Sequence, residues 1–164
     1  MKGEESELEG LRTEIKALNQ KVTDCEQLIK DLSAPIIPSI IPETVLIPFT
    51  GRLDADRFEL MITKITEYIF SANVNTAVID FTAISKKEIG EISVFGRYIE
   101  NLTSTLKLMG VQVLFVGFTP AITQILTESR QAFVKELNTF SSFRTALQYL
   151  MKEKGMVFQK INER

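Results

Sequence analysis

The chain has 164 residues, 45% of them hydrophobic, which suffices for one domain with a packed core plus an appendage and excludes a wholly disordered chain. Lys and Arg total 19 against 21 Asp and Glu, a net charge of -2 that supplies no basic field for a nucleic-acid backbone. With no His and a single Cys, Cys25, the chain cannot build a Ser/His/Asp or Cys/His catalytic set, a His-containing zinc site or an internal disulfide. The expectation is a protein with no catalytic, cofactor-binding or metal-ligating residue and no nucleic-acid or membrane partner, in a reducing, cytoplasmic setting. No apolar run approaches the roughly 18 residues of a membrane span, and the acidic start Met1-Lys2-Gly3-Glu4-Glu5 does not read as a secretory signal.

The charge is uneven. Residues 1 to 32 carry five basic and eight acidic side chains and no aromatic, a net charge of -3, whereas the remainder carries every Phe and Tyr and a net charge of +1. In the first part Leu8, Leu11, Ile15, Leu18, Val22, Cys25, Ile29 and Leu32 follow one another at alternating spacings of 3 and 4, a sustained a/d heptad. With Leu8 at a, the β-branched Ile15, Val22 and Ile29 occupy a and Leu11, Leu18 and Leu32 occupy d, which favours a parallel two-stranded coil over residues 1-33. In that register Glu7 meets Arg12 of a second copy and Lys21 meets its Glu26. The alternative is a single amphipathic helix laid on its own domain, but an a/d stripe is narrower than ordinary core packing needs. Cys25 falls in the seam, as a small core residue or as one half of a cross-chain disulfide.

Ser33 to Pro42 holds three prolines, so residues 34-43 read as a linker or at most an edge strand. Residues 44-164 then alternate between strand and helix periodicity. Thr44 to Phe49 is a strand, followed by a turn ending in Asp54 as N-cap. A helix with Phe58, Met61, Ile62, Ile65 and Ile69 inward ends near Asn73. Thr76 to Phe81 is an apolar strand buried on both faces. The next helix carries Ile92, Phe95, Ile99, Leu102, Leu106 and Met109, with Gly110 closing it. Val111 to Val116 is another buried strand, and Thr119-Pro120 opens a short helix with Ile122, Ile125 and Leu126 inward. A short strand is expected near Phe133 to Leu137, then a last helix with Phe143, Ala146, Leu147 and Leu150. Such alternation demands an α/β fold with a largely parallel sheet and about four helices, its strand order left open.

Motifs for chemistry are sparse. Neither GxxxxGK[ST] nor GxGxxG occurs. Glu88 and Glu91 are expected as first-turn acids of the second of these helices, favoured by its dipole. Asp80 ends a buried strand, where α/β proteins place ligands, but it has only Lys86 and Lys87 for nearby basic residues, and capping its own loop is the expected role.

The run Ala77-Val78-Ile79-Asp80-Phe81-Thr82-Ala83-Ile84, followed by Glu88-Ile89-Gly90, resembles the signature of STAS domains, the fold of anti-sigma-factor antagonists. Leu32-Ser33-Ala34-Pro35-Ile36-Ile37-Pro38, Val45-Leu46-Ile47-Pro48-Phe49-Thr50-Gly51-Arg52-Leu53-Asp54 and Leu108-Met109-Gly110 through Gly117-Phe118-Thr119-Pro120 are similar to stretches of one branch, the RsbR-type proteins of the stressosome. The resemblance covers about residues 32 to 153. It implies a non-catalytic, cytoplasmic scaffold subunit, a homodimer that assembles with an RsbS-type STAS partner and holds an RsbT-type switch kinase controlling a stress sigma factor. The alternative is a simple antagonist that binds an anti-sigma kinase directly; a third class is a small-molecule or enzymatic domain using the Asp80 loop. RsbR-type proteins normally carry a globin-like or PAS-class sensory module, for which 32 residues of coil are too few. Either the coil is the whole input region or an upstream domain has been removed.

The chain departs from that family where phosphate is added. The two positions that match the usual phosphoacceptors are Ile89 and Val116, neither of which can be phosphorylated. Thr82, Ser85, Ser93 and Thr119 are the candidate substitute acceptors.

Overall fold

The computed structural model describes residues 1–161 and divides into two compact units, Met1–Ser33 and Ala34–Arg164; the expected limit of the second domain at residue 164 lies outside the described residues. The first unit is one helix, α1 (Lys2–Leu32), in which no residue is buried. Its stripe residues Leu8, Leu11, Ile15, Leu18, Val22, Ile29 and Leu32 are between 51 and 63% exposed, and Cys25 is exposed as a free thiol.

The second unit runs β1 (Ile37–Pro38), β2 (Thr44–Pro48), α2 (Ala55–Ala72), β3 (Thr76–Asp80), α3 (Ile92–Leu108), β4 (Gln112–Val116), α4 (Pro120–Glu128), a 3-10 turn (Ala132–Glu136), β5 (Thr139–Phe140) and α5 (Phe143–Glu153). The five strands lie in the order β1-β2-β3-β4-β5; β1 is antiparallel and all the other pairs are parallel. The prolines of the 34–43 segment explain the short antiparallel edge, since Pro38 has no amide to donate to a ladder. Helix starts follow the side chains that cap them. Asp54 accepts the Arg57 amide at 3.0 Å, Thr119 accepts the Ile122 amide at 3.3 Å ahead of Pro120, and Ser142 and Thr145 form a reciprocal box that opens α5.

Strand alternation splits the core in two. Val45, Ile47, Ala77, Ile79, Val113 and Phe115 point to one face and pack with the buried sides of α2, α3 and α4. Val78, Leu114 and Val116 point to the other, where they meet Ile41 and the Ala146 and Leu150 side of α5. The first face is built around aromatic rings. Phe81 stands 4.9 Å from Phe49, 5.3 Å from Phe118, 6.0 Å from Phe95 and 6.1 Å from Phe115, centroid to centroid. Phe58 stacks on Tyr98 at 4.9 Å.

Three expectations are corrected. The strand expected near Phe133 to Leu137 is the 3-10 turn Ala132–Glu136, and the strand there is Thr139–Phe140, paired with Phe115 and Val116. Phe133, Val134 and Leu137 recur at turn spacing and pack on the first core face, so the run is held as a turn. The second expectation concerns Glu88 and Glu91. α3 starts only at Ile92 and has no acid in its first turn; Glu91 is its N-cap residue and makes no side-chain cap bond, and Glu88 lies outside the helix. Ile92 and Met109, expected inward, are exposed at the two ends of that region.

Because Phe81 touches four rings at the centre of the first face, Phe81→Ala is expected to cost about 3–5 kcal/mol, read as the shift in a urea unfolding curve. The same change at the exposed Phe70 of α2 is expected to leave that curve within about 0.5 kcal/mol.

Candidate functional site

The carboxyl ends of the parallel strands fall level with one another, with Pro48 beside Asp80 and Asp80 beside Val116 in register. Backbone bonds continue past the strands, from the Phe49 amide to the Asp80 carbonyl at 2.8 Å and from the Phe81 amide to the Val116 carbonyl at 2.9 Å. Three loops are thereby brought to one end of the sheet, the place where open α/β sheets bind.

Asp80 organises the middle loop. Its Oδ1 accepts the Thr82 amide at 2.8 Å and the Thr82 hydroxyl at 2.5 Å, so it caps its own turn, as its sequence position suggests. Gly117, at the foot of the next loop, has φ +74°; a Cβ there would lie 2.3 Å from Thr82 Oγ1, 2.6 Å from Thr82 N and 2.9 Å from Asp80 Oδ1. Glycine is required for conformation and for space at once. Further along, the Ser85 amide donates to Glu88 Oε2 at 2.7 Å, the Ser85 hydroxyl donates to the same oxygen, and the Lys87 amide donates to Ser85 Oγ at 3.3 Å. These bonds, the Ser85 hydroxyl foremost and its amide next, hold the Glu88 carboxyl below its ordinary value of 4.5.

The two positions that the sequence resemblance pairs with family acceptors, Ile89 and Val116, are core residues. Ile89 is 7% exposed and its backbone bridges Leu53 in parallel, with the Leu53 amide donating to the Glu88 carbonyl at 2.8 Å. Val116 is fully buried on the α5 face. Of the candidate substitutes, Thr82 is committed to Asp80, Ser85 to Glu88, and the half-buried Thr119 caps α4. Ser93 is exposed in the first turn of α3, and its hydroxyl has no partner among the described residues. It sits beside an open depression with Gly90, Glu91 and Ser129. The seam residues of α1 belong to the other unit.

No group of three or more His, Cys, Asp or Glu side chains that could hold a metal ion occurs among the described residues. No described helix is long and apolar enough to cross a membrane. What the strand ends present is a set of loops closed by their own side-chain bonds.

No family profile matches the chain. A protein of Listeria monocytogenes described as a blue-light photoreceptor is 31% identical over 124 residues, 74% of this chain and 46% of that protein; its Listeria innocua counterpart is 27% identical over 122 residues. The chain thus spans about half the length of the curated relatives it matches. Among solved structures, a Ser-to-Glu variant of Moorella thermoacetica RsbS superposes with a TM-score of 0.61 at 19% identity, covering 75% of this chain and 98% of that one. The anti-sigma-factor antagonist SpoIIAA in its unphosphorylated form gives 0.54 at 18% identity over 76% of this chain and 99% of its own. A chain from the stressosome, described as a signal integration and transduction hub, gives 0.54 at 17% over 74% of this chain and all of that one. The fold is the STAS fold, a mostly parallel sheet with the long helix α1 ahead of it in the chain.

Gly117→Ala is expected to destabilise the second unit by about 2–4 kcal/mol, from strain at positive φ and from overlap with the Asp80–Thr82 turn; a denaturation midpoint equal to that of the unsubstituted chain contradicts the close approach. A carboxyl whose folded value is depressed stabilises above its ordinary value and loses that contribution as pH falls through the folded one. The Ser85 amide resonance is therefore expected to titrate with a midpoint below 4.5, moving up toward that value for Glu88 in Ser85→Ala.

Proposed function

We propose that this chain is a non-catalytic regulatory subunit of RsbR type, a homodimer that joins an RsbS-type STAS partner in a cytoplasmic, stressosome-like scaffold and controls an RsbT-type switch kinase, and hence a stress sigma factor. The observation that carries the reading is the burial of Ile89 and Val116. At the two places where such proteins take phosphate, this chain has apolar side chains committed to its core, while the capped loops around them keep the shape of a docking surface. A phosphoryl group brings about -1.5 to -2 charges and releases or recruits partners; a subunit without acceptors at those positions contributes a binding surface that stays constant. The likeness to RsbS and to the stressosome chain, and the partial match to the Listeria photoreceptors, support this reading.

The dimer is assigned to α1. Its stripe residues are exposed, and pairing in parallel would bury them against their counterparts with Glu7 opposite Arg12 and Lys21 opposite Glu26. We read the chain as residues 1-33 coil, 34-43 Pro-rich linker or edge segment and 44-164 STAS domain; the second compact unit starts at Ala34, ahead of that last limit.

Co-expression with an RsbS-type partner and an RsbT-type kinase, followed by sedimentation, tests the assembly. Megadalton particles that contain this chain are the expected result; a small complex of this chain with a kinase alone identifies a simple antagonist. In the isolated protein, Ile15→Lys with Leu18→Lys is expected to convert a dimer into a monomer at micromolar concentration without changing the thermal midpoint of the STAS domain. A chain that is already monomeric at that concentration overturns the coil.

A further inference from the structure

We propose that the half-buried flank of α5 carrying Phe143, Leu147 and Met151 docks an acidic amphipathic helix of a protein partner, in a trough between α5, the Ile40–Ile41 segment and the chain after α5. This inference stands apart from the scaffold reading, since it concerns the sheet face that α2, α3 and α4 do not cover.

The trough encloses about 970 Å³ and is lined largely by carbon, with Ile40, Leu147, Met151 and Phe158 among its walls. Ile40 is 73% exposed, Val157 85% and Phe158 78%, three large apolar side chains exposed along one trough. Contiguous exposed apolar surface of this kind marks an interaction site. Its shape is that of a helix seat. Phe143, Leu147 and Met151 recur every four residues along α5, a ridge about 12 Å long, and such a ridge packs into the groove of a second helix. Met151 and Met156 give the wall adaptable side chains.

The charge chooses the occupant. One residue on from the apolar ridge, a second row presents Arg144, Gln148 and Lys152, and no acidic residue lines the trough. Neither Arg144 nor Lys152 has an ion-pair partner among the described residues. Lys152 suits the carboxyl end of α5, but Arg144 is the second residue of that helix, where the positive end of the dipole disfavours a cation. Helix stability therefore does not account for Arg144, and an acidic ligand does. A second copy of this face would set like charges against each other across a two-fold axis, which is unfavourable.

The test uses the full chain and a fluorescein-labelled synthetic helix with Leu at i, i+3, i+4 and i+7 and Glu along both flanks, read by anisotropy, with a control peptide in which Lys replaces each Glu. Saturable binding of the Glu peptide, amide shifts confined to residues 40–41 and 143–158, and at least about tenfold weaker binding in Arg144→Glu with Lys152→Glu support the proposal. Leu147→Gln is expected to weaken it as well, while Lys86→Glu with Lys87→Glu at the strand-end loops leaves it unchanged; circular dichroism and melting verify that each variant is folded. Absence of saturable binding, or equal binding of the Lys peptide, overturns it. So does tighter binding of oleate that the same α5 substitutions abolish, which assigns the trough to a fatty acid. Self-association of the Ile15→Lys, Leu18→Lys chain that Leu147→Gln abolishes assigns it to a second copy.

Discussion

The strand order of the sheet governs what the rest of the structure can do. Its parallel strands advance in one direction, β2 to β5, and each crossover carries a helix. Because such crossovers are right-handed, helices between strands that advance steadily fall on one face. α2, α3 and α4 accordingly share one core, and on the opposite face α5 and Ile41 cover Val78, Leu114 and Val116. One face becomes a thick aromatic interior that fixes the loops; the other is closed by one helix and the Ile41 segment, with an apolar and cationic trough along the flank of that helix. Both the candidate site and the trough follow from this asymmetry.

At the strand ends, packing and polar capping act together. Phe81 anchors the chain into the aromatic cluster, and its neighbours Asp80 and Thr82 close a turn against which only a glycine fits. The resemblance to phosphorylated switch domains ends at this point. Ile89 is pulled into the core by its bridge to Leu53, and Val116 takes its place in the central strand facing α5. A hydroxyl in either place would be buried and would need a partner. Under the proposed function, these apolar residues stand where the family's acceptors would be.

Much of this is legible in the chain itself. The 3-4 spacing from Leu8 to Leu32 writes the first helix, Asp54 and Thr119-Pro120 mark helix starts as capping chemistry requires, and the apolar runs ending at Asp80 and Val116 are the two central strands. What is not legible is set by partners distant in sequence. Glu88 reads as a helical acid until the Ser85 bonds and the Leu53 bridge hold its segment outside α3. Phe133 to Leu137 has strand-like composition, but its side chains reach the core as a turn, and the strand falls to Thr139 and Phe140, too short to leave a pattern. Ile89 and Val116 are visible in sequence as substitutions of acceptor positions; that both are core residues needs the fold. The trough is invisible in sequence, since Ile40 and Leu147 meet only through the topology of the sheet.

The most direct measurement is site-resolved mass spectrometry of the chain, co-expressed with an RsbS-type protein and incubated with an RsbT-type kinase and ATP. The account predicts that the partner acquires phosphate while this chain acquires none and stays in the assembly. Phosphate on Ser85 or on the exposed Ser93, with release of the chain or of the kinase, would contradict it.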